Sequence, residues 1–357
     1  MGLRIALIYG GQSGEHEVSV MSASSVLKAV AGKMEVFPIG ITKDGQWIPG
    51  LSPEALVETG QLEVTPPPQE VDYKLLENPS GFILGELKEK VNLVFPLLHG
   101  PMGEDGTIQG LLELAGIPYI GGGIAASALG MDKALMKALF CQQGLPVGDY
   151  QVFLRKEWET GPQSVIEAVE ANLGYPCFVK PANMGSSVGI SKAHDRKGLK
   201  KALDLAALYD RKLIVEAFLD GQEVECAVLG NDQPEASIPG EIIAGAEFYD
   251  YEDKYVKNEA KLVIPASITP QQTAEVQELA IKAFKAIDCA GMARVDFFVL
   301  RKDGRVLVNE INTIPGFTKI SMYPKLWEAS GLSYSTLIER LADLALERFH
   351  DLRRGRR

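Results

Sequence analysis

Between Arg294 and Phe317, two apolar, β-branched runs carry four residues able to act together: Arg294, Asp296, Glu310 and Asn312. The runs flank Asp303-Gly304, which reads as a β-hairpin. Residues two apart on a strand share a face, so Arg294 sits with Asp296 and Glu310 with Asn312. Whether both pairs share one face depends on the turn. A two-residue loop, Asp303-Gly304, would set Lys302 opposite Arg305 and Asp296 opposite Ile311, sending Glu310 to the other side. A three-residue loop, Lys302-Asp303-Gly304 with Gly304 left-handed, would set Arg301 opposite Arg305. Asp296 would then face Glu310, and Arg294 would face Asn312. The second register is the expectation. It gathers two carboxylates, an amide oxygen and a guanidinium on one patch. Such hard oxygen donors suit Mg²⁺, which takes one or two carboxylates and fills its other positions with phosphate and water. Arg294 beside the metal would meet phosphate or a developing oxyanion. A solvated, salt-bridged hairpin face would use the same residue types. Here, however, these polar residues interrupt otherwise apolar strands, and Pro315-Gly316 then turns the chain sharply.

Other stretches offer complementary chemistry. Lys180 closes the apolar strand Cys177–Lys180, where its charge needs an anion. Asn183-Met184-Gly185-Ser186-Ser187-Val188-Gly189 follows, and its backbone N–H groups and hydroxyls can wrap phosphate oxygens. A plain hairpin turn is the alternative, which the strand-terminal lysine disfavours. Lys212 to Phe218 reads as an edge strand whose free backbone groups, with Glu216 or Glu223, could hold adenine and ribose. His99 stands at a strand end in the Gly-rich, acidic loop His99-Gly100-Pro101-Met102-Gly103-Glu104-Asp105-Gly106, a position suited to a site residue. Glu15 either complements the charge of a helix start or binds a substrate group.

The elements that must position these residues are α/β in character. Arg4–Tyr9, a glycine loop at 10–17 and a helix from Ser19 to about Val30 open a doubly wound domain, in which ligands sit at the carboxyl ends of strands. Further strands are expected at Glu35–Ile41, Asn92–Leu98, Asp149–Leu154, Glu223–Gly230 and Glu235–Ala244. Helices are expected at Thr107–Ala115, from Met131-Asp132-Lys133 to near Gly144, at Gln163–Leu173 and over 195–210. Thr269-Pro270-Gln271-Gln272 is a helix start with a capping box, and Ser333 starts the last helix. Residues 49–90 read as a surface excursion and 247–260 as a lid. The first boundary falls at Gly121-Gly122-Gly123. The expected domains are 1–121, 122–217 and 218–357.

Net charge is −11 over 357 residues. That balance opposes a general nucleic-acid or membrane-surface binder. The four cysteines are scattered with no C-x-x-C, as expected of buried thiols in a reducing cytoplasm. No signal peptide and no membrane-length apolar run are evident.

Together these stretches resemble the ATP-grasp carboxylate–amine ligases and, within them, the D-alanine–D-alanine ligase family. The resemblance rests on Gly10-Gly11-Gln12-Ser13-Gly14-Glu15-His16-Glu17, His99 to Gly110, Met131-Asp132-Lys133, Lys180 to Gly189, Phe248 to Tyr255, Arg294 to Asp296 and Asn309 to Gly316, all in the family's order. It implies a three-domain α/β fold with ATP between the central and C-terminal domains. Lys133 and Lys180 would bind phosphates, and Glu216, Ala217, Phe218, Leu219 and Glu223 would hold adenosine. Asp296, Glu310 and Asn312 would bind two Mg²⁺ or Mn²⁺. Glu15, linked to Ser186 and Tyr255, would take the ammonium of the first D-alanine, with His99 nearby. Ser321 and Met322 would meet the carboxylate of the second, Arg294 and Gly316 would stabilise the oxyanion, and Lys254 and Tyr255 would lie on the lid. A homodimer is implied.

Acceptors such as D-lactate or D-serine remain alternatives, although Tyr255 resembles the alanine-forming members. A nucleotide-binding regulator is opposed by the presence of Glu15, Arg294, Asp296, Glu310 and Asn312. A nicotinamide-linked dehydrogenase is opposed by the missing G-x-G-x-x-G.

Overall fold

The structure, a computed structural model, describes residues 2–50, 87–243 and 261–355. Within them three sheets follow one another along the chain. The first, in the order β3-β2-β1-β4, is built from β1 (Arg4–Gly10), β2 (Glu35–Ile41), β3 (Trp47–Pro49) and β4 (Leu93–Leu97). β1 pairs in parallel with β2 and β4, and β3 adds an antiparallel edge. A parallel strand covered on both faces must be apolar throughout. Accordingly, Ile5, Leu7 and Tyr9 pack with the helix His16–Val30, while Ala6 and Ile8 pack with the helix Thr107–Ala115.

The second sheet runs β5-β8-β6-β7: β5 (Tyr150–Leu154), β6 (Cys177–Pro181), β7 (Ser191–Ala193) and β8 (Lys212–Ala217). Every pairing in it is antiparallel. This corrects the expectation that residues 212–218 form an edge. β8 lies between β5 and β6, and its run Leu213-Ile214-Val215 is buried, as an internal strand requires. The chain leaves the sheet after Ala217, where Phe218 N–H still bonds to Pro176 O.

The third sheet runs β12-β11-β9-β13-β14, with β10 (Glu235–Ala236) beside β9 (Gly221–Gly230). The others are β11 (Gly240–Ile243), β12 (Lys261–Val263), β13 (Gly291–Leu300) and β14 (Val306–Asn312). The helix Pro270–Ala286 packs on it and starts with the expected box: Gln272 N–H donates to Thr269 Oγ1 and Thr269 N–H to Gln272 Oε1. The last helix, Tyr334–Leu352, joins the core of the first sheet through Leu337, Leu341 and Ala345, so both ends of the chain share one apolar cluster. Among the described residues, no helix is long and apolar enough to cross a membrane. Cys177, Cys226 and Cys289 are buried, but Cys141 is exposed on the last turn of the helix Lys133–Gln142, against the expectation of burial.

Candidate active site

A cavity of about 660 Å³ opens where the three sheets meet. Glu15 and His99 line it from the first sheet, Lys180 and Ser186 from the second, Asp296 and Glu310 from the third.

In the hairpin, Asp296 lies opposite Glu310 and Arg294 opposite Asn312, the expected pairing. The turn reaches it by another route. Leu300 N–H bonds to Arg305 O and Gly304 N–H to Leu300 O, closing a four-residue loop rather than a three-residue one; Gly304 is left-handed, with φ +72°. Phe297 therefore faces Val308, and unbroken pairing from there would set Asp296 against Asn309. A β-bulge at Asn309 corrects the frame. Without it, strict alternation from Val306 and Val308 would drive Glu310 and Asn312 into the apolar core, at several kcal/mol for an unpaired charge. With it, Val308 and Ile311 both stay in the core while Glu310 and Asn312 face the cavity.

Arg294 is tightly held. Its Nε donates to Asp296 Oδ1 and its Nη2 to Asp296 Oδ2, both at 2.7 Å, and its Nε lies 3.0 Å from Glu225 Oε2. Burial works against its charge, but Asp296 and Glu225 outweigh burial and hold its pKa well above the ordinary value. Asn312 Nδ2 donates to Asp296 Oδ2 at 3.0 Å. Among the described residues no three His, Cys, Asp or Glu side chains cluster as a self-sufficient metal cage. Two opposed carboxylates and an amide oxygen fit instead a cation that completes its shell with substrate phosphate and water.

At the other wall, Lys180 Nζ lies 2.5 Å from Glu216 Oε2, and Lys137 Nζ 3.0 Å from Glu216 Oε1. Burial alone would raise the Glu216 pKa, yet Lys137 and Lys180 bring it down to about 2. Burial would lower that of Lys180, but Glu216 and Glu310 raise it. Lys133 Nζ donates to Met184 O at 2.8 Å, bringing it onto the glycine-serine loop. Ser186 and Ser187 adopt left-handed φ of +48° and +60° there, and Asp210 anchors the loop by accepting from Asn183 N–H and Nδ2–H. Such strained non-glycine backbone persists only where surrounding structure enforces it. Ala217, Phe218, Leu219 and Glu223 line the same end of the cavity. The Lys192 ammonium sits 4.2 Å from the Phe218 ring centroid.

Glu15 immediately precedes the helix His16–Val30 without capping it. Its Oε2 fits against two glycines: a Cβ at Gly100 would come within 2.9 Å of it, and one at Gly185 within 2.7 Å. The loops of the first and second sheets thus meet on this carboxylate. His99 is buried. Its Nδ1 lies 3.0 Å from Ile314 O, which can only accept, so Nδ1 carries the proton and Nε2, 3.3 Å from Ser22 Oγ, accepts. Burial lowers its pKa, keeping it neutral. His99 therefore ties the end of β4 to the helix His16–Val30 and to the segment before Gly316. Phe317 anchors the other side of that segment among Phe95, Tyr323 and Tyr334. Gly316, Ser321 and Met322 line the cavity, with Ser321 Oγ accepting from Thr318 N–H. Lys254 and Tyr255 lie outside the described residues.

The sequence reading assigns no role to Lys137, Glu225 or Glu104, which all line the cavity. Lys137 follows Lys133 by four, the spacing of one helical face. Glu225 follows Glu223 by two, the spacing of one strand face. Glu104 accepts from Gly100 N–H at 3.0 Å, and burial beside Glu15 pushes its pKa up to about 8.

The profile described as D-ala D-ala ligase N-terminus matches residues 4–122, and that described as D-ala D-ala ligase C-terminus matches residues 139–343. The chain belongs to the D-alanine–D-alanine ligase family. Among its relatives, the D-alanine–D-alanine ligase of Acetivibrio thermocellus is 51% identical over 98% of this chain and 97% of its own length. That of Halothermothrix orenii is 53% identical over 97% and 98%. Among solved structures, the D-alanine-D-alanine ligase from Coxiella burnetii superposes with a TM-score of 0.81 at 35% identity, covering 99% of this chain and 96% of that one. The VanG D-Ala:D-Ser ligase from Enterococcus faecalis gives 0.82 at 37%, covering 97% and 100%. The architecture is accordingly the ATP-grasp fold of the D-alanine–D-alanine ligases.

Proposed function

We propose that this chain joins two D-alanine molecules into D-alanyl-D-alanine, converting ATP to ADP and phosphate, as a step in making peptidoglycan precursors. The observation that carries the reading is one cavity in which Glu15, the lysine-rich phosphate wall and the Asp296–Glu310–Asn312 patch face one another. Family membership supports the reaction type.

A carboxylate is a poor electrophile. Its oxygen attacks the γ-phosphorus of ATP, ADP leaves, and an acyl phosphate forms. The amine of the second D-alanine then attacks the acyl carbon and phosphate departs. Glu15 takes the ammonium of the first D-alanine at the junction of two loops, with Ser186 beside it. Lys133 and Lys180 grip phosphate oxygens, for which Lys180 leaves Glu216. Ala217, Phe218, Leu219 and Glu223 hold adenosine. Asp296, Glu310 and Asn312 would hold two Mg²⁺ or Mn²⁺, which would neutralise the negative charge that develops in phosphoryl transfer. Arg294 and Gly316 N–H face the tetrahedral oxyanion, where one such donor is worth about 3 kcal/mol. Ser321 and Met322 receive the second carboxylate. His99, with both ring nitrogens engaged inside the protein, holds the first-substrate loop rather than moving a proton. Closing the cleft would exclude water and so protect the acyl phosphate, the task the family resemblance gives Lys254 and Tyr255.

The proposal takes residues 1–121, 122–217 and 218–357 as the three domains, and a cytoplasmic homodimer as the working form. Phosphate release measured against a panel of D-amino acids tests it. Release is expected to require D-alanine and to yield D-alanyl-D-alanine in mixtures with D-serine or D-lactate. Folded protein releasing no phosphate with D-alanine, Mg²⁺ and ATP would overturn it.

A further inference from the structure

Lys137 is 3% exposed, one helical turn beyond Lys133, and reaches the cavity wall. Its ammonium makes two contacts that belong to opposite ends of the site. It lies 3.0 Å from Glu216 Oε1 on β8, next to the backbone that leads to Phe218 and Leu219. It also donates, at 3.0 Å, to the carbonyl of Asn309 on β14. Asn309 is the bulge residue that sets Glu310 across from Asp296. Bulged residues lose their place in the ladder, and a buried carbonyl without a partner is costly.

We propose that Lys137 is a positioning residue for nucleotide binding: it is the permanent counter-ion of Glu216 and the clamp on the Asn309 bulge. The inference rests on the ligase reading. Glu216 is shared between two ammonium groups, and only one has another task. Once Lys180 turns to phosphate, Glu216 would be left buried with its charge uncompensated if Lys137 were absent. A buried carboxylate in that position would draw Lys180 back and compete with the nucleotide. Lys137 removes that competition. Through the bulge it ties the adenosine strand to the metal-ligand strand, so the two ends of the nucleotide meet walls in fixed register.

The test is Lys137→Met in the full-length protein, read by calorimetric binding of a non-hydrolysable ATP analogue with Mg²⁺ and by the KM for D-alanine. The analogue should bind about tenfold more weakly or worse, while the KM for D-alanine stays within roughly twofold. Lys137→Arg should recover much of the affinity. The pair Lys137→Met/Glu216→Gln leaves no lone buried charge and keeps the test open should the single variant fold poorly. In the Glu216→Gln background the Lys137→Met penalty should shrink several-fold. Analogue affinity within twofold of the parent, equal losses for nucleotide and D-alanine, or the same penalty in both backgrounds would overturn the inference. In the first two cases, a parent protein that still releases phosphate with D-alanine leaves the ligase reading standing. A parent that binds no analogue and releases no phosphate removes that reading and the inference with it.

Discussion

Two buried charge clusters face each other across the cavity, and they are opposites. On one wall a carboxylate, Glu216, lies between two ammonium groups, Lys137 and Lys180. On the other a guanidinium, Arg294, lies between two carboxylates, Asp296 and Glu225. On the proposed function, each cluster holds one charge that the reaction would claim: Lys180 for phosphate, Asp296 for a metal. The partner left behind then still has a counter-ion. Burying a lone charge is far costlier than burying a pair, so such three-member clusters let a charge depart without stranding its neighbour. The clusters differ in what stays fixed. Lys137 binds backbone as well as Glu216, whereas Glu225 reaches Arg294 from an adjacent strand.

The sharpest way to break this comparison is Glu310→Gln, which removes a proposed metal-binding carboxylate that neither cluster can replace. D-alanine-dependent phosphate release should fall about a hundredfold or more with the melting temperature nearly unchanged. Turnover near that of the parent would contradict the metal assignment. Glu225→Gln probes the guanidinium cluster directly. If Asp296 turns to a metal as proposed, Arg294 in this variant has no second anion, and kcat should fall roughly tenfold while nucleotide affinity holds within about twofold. Equal losses in both would mean Glu225 serves the fold generally.

Glu104 supplies a pH test. Its carboxyl is pushed from the ordinary range up to about 8 by burial beside Glu15, so folding favours the protonated form. That contribution is complete below the ordinary carboxyl range and is lost as pH rises through about 8. Urea midpoints of the ligand-free protein should therefore decline between pH 5 and pH 8. Glu104→Gln should flatten the decline, and an unchanged slope would refute the assignment. The smallest effect is expected far from both clusters. Thr269→Ala removes a helix cap, costing about 1 kcal/mol of stability while leaving kcat alone.

Much of the fold was legible because its signals are local. The Thr269–Gln272 box, the apolar run of β1 and the alternation of β13 each follow from residues within one element. The opposition of Asp296 and Glu310 was also legible, but through the wrong turn: a four-residue loop and a bulge together reproduce the register expected of a three-residue loop. Bulges answer to burial across a sheet and leave little mark on the strand that carries them. β8 was misplaced to an edge because its neighbours, β5 and β6, are distant in sequence. Lys137, Glu225 and Glu104 were missed for a related reason. Each takes its meaning from a charge on another element, and only the assembled cavity brings those charges within reach.

The Asn309 bulge also has a hereditary consequence. Loss of that single codon would straighten β14 and still leave Glu310 across from Asp296, because the residues on either side already pair in step. What disappears is one oxygen from the coordination of a hidden ammonium. Such a deletion should spare the acidic pair and be felt first as a weaker hold on the triphosphate.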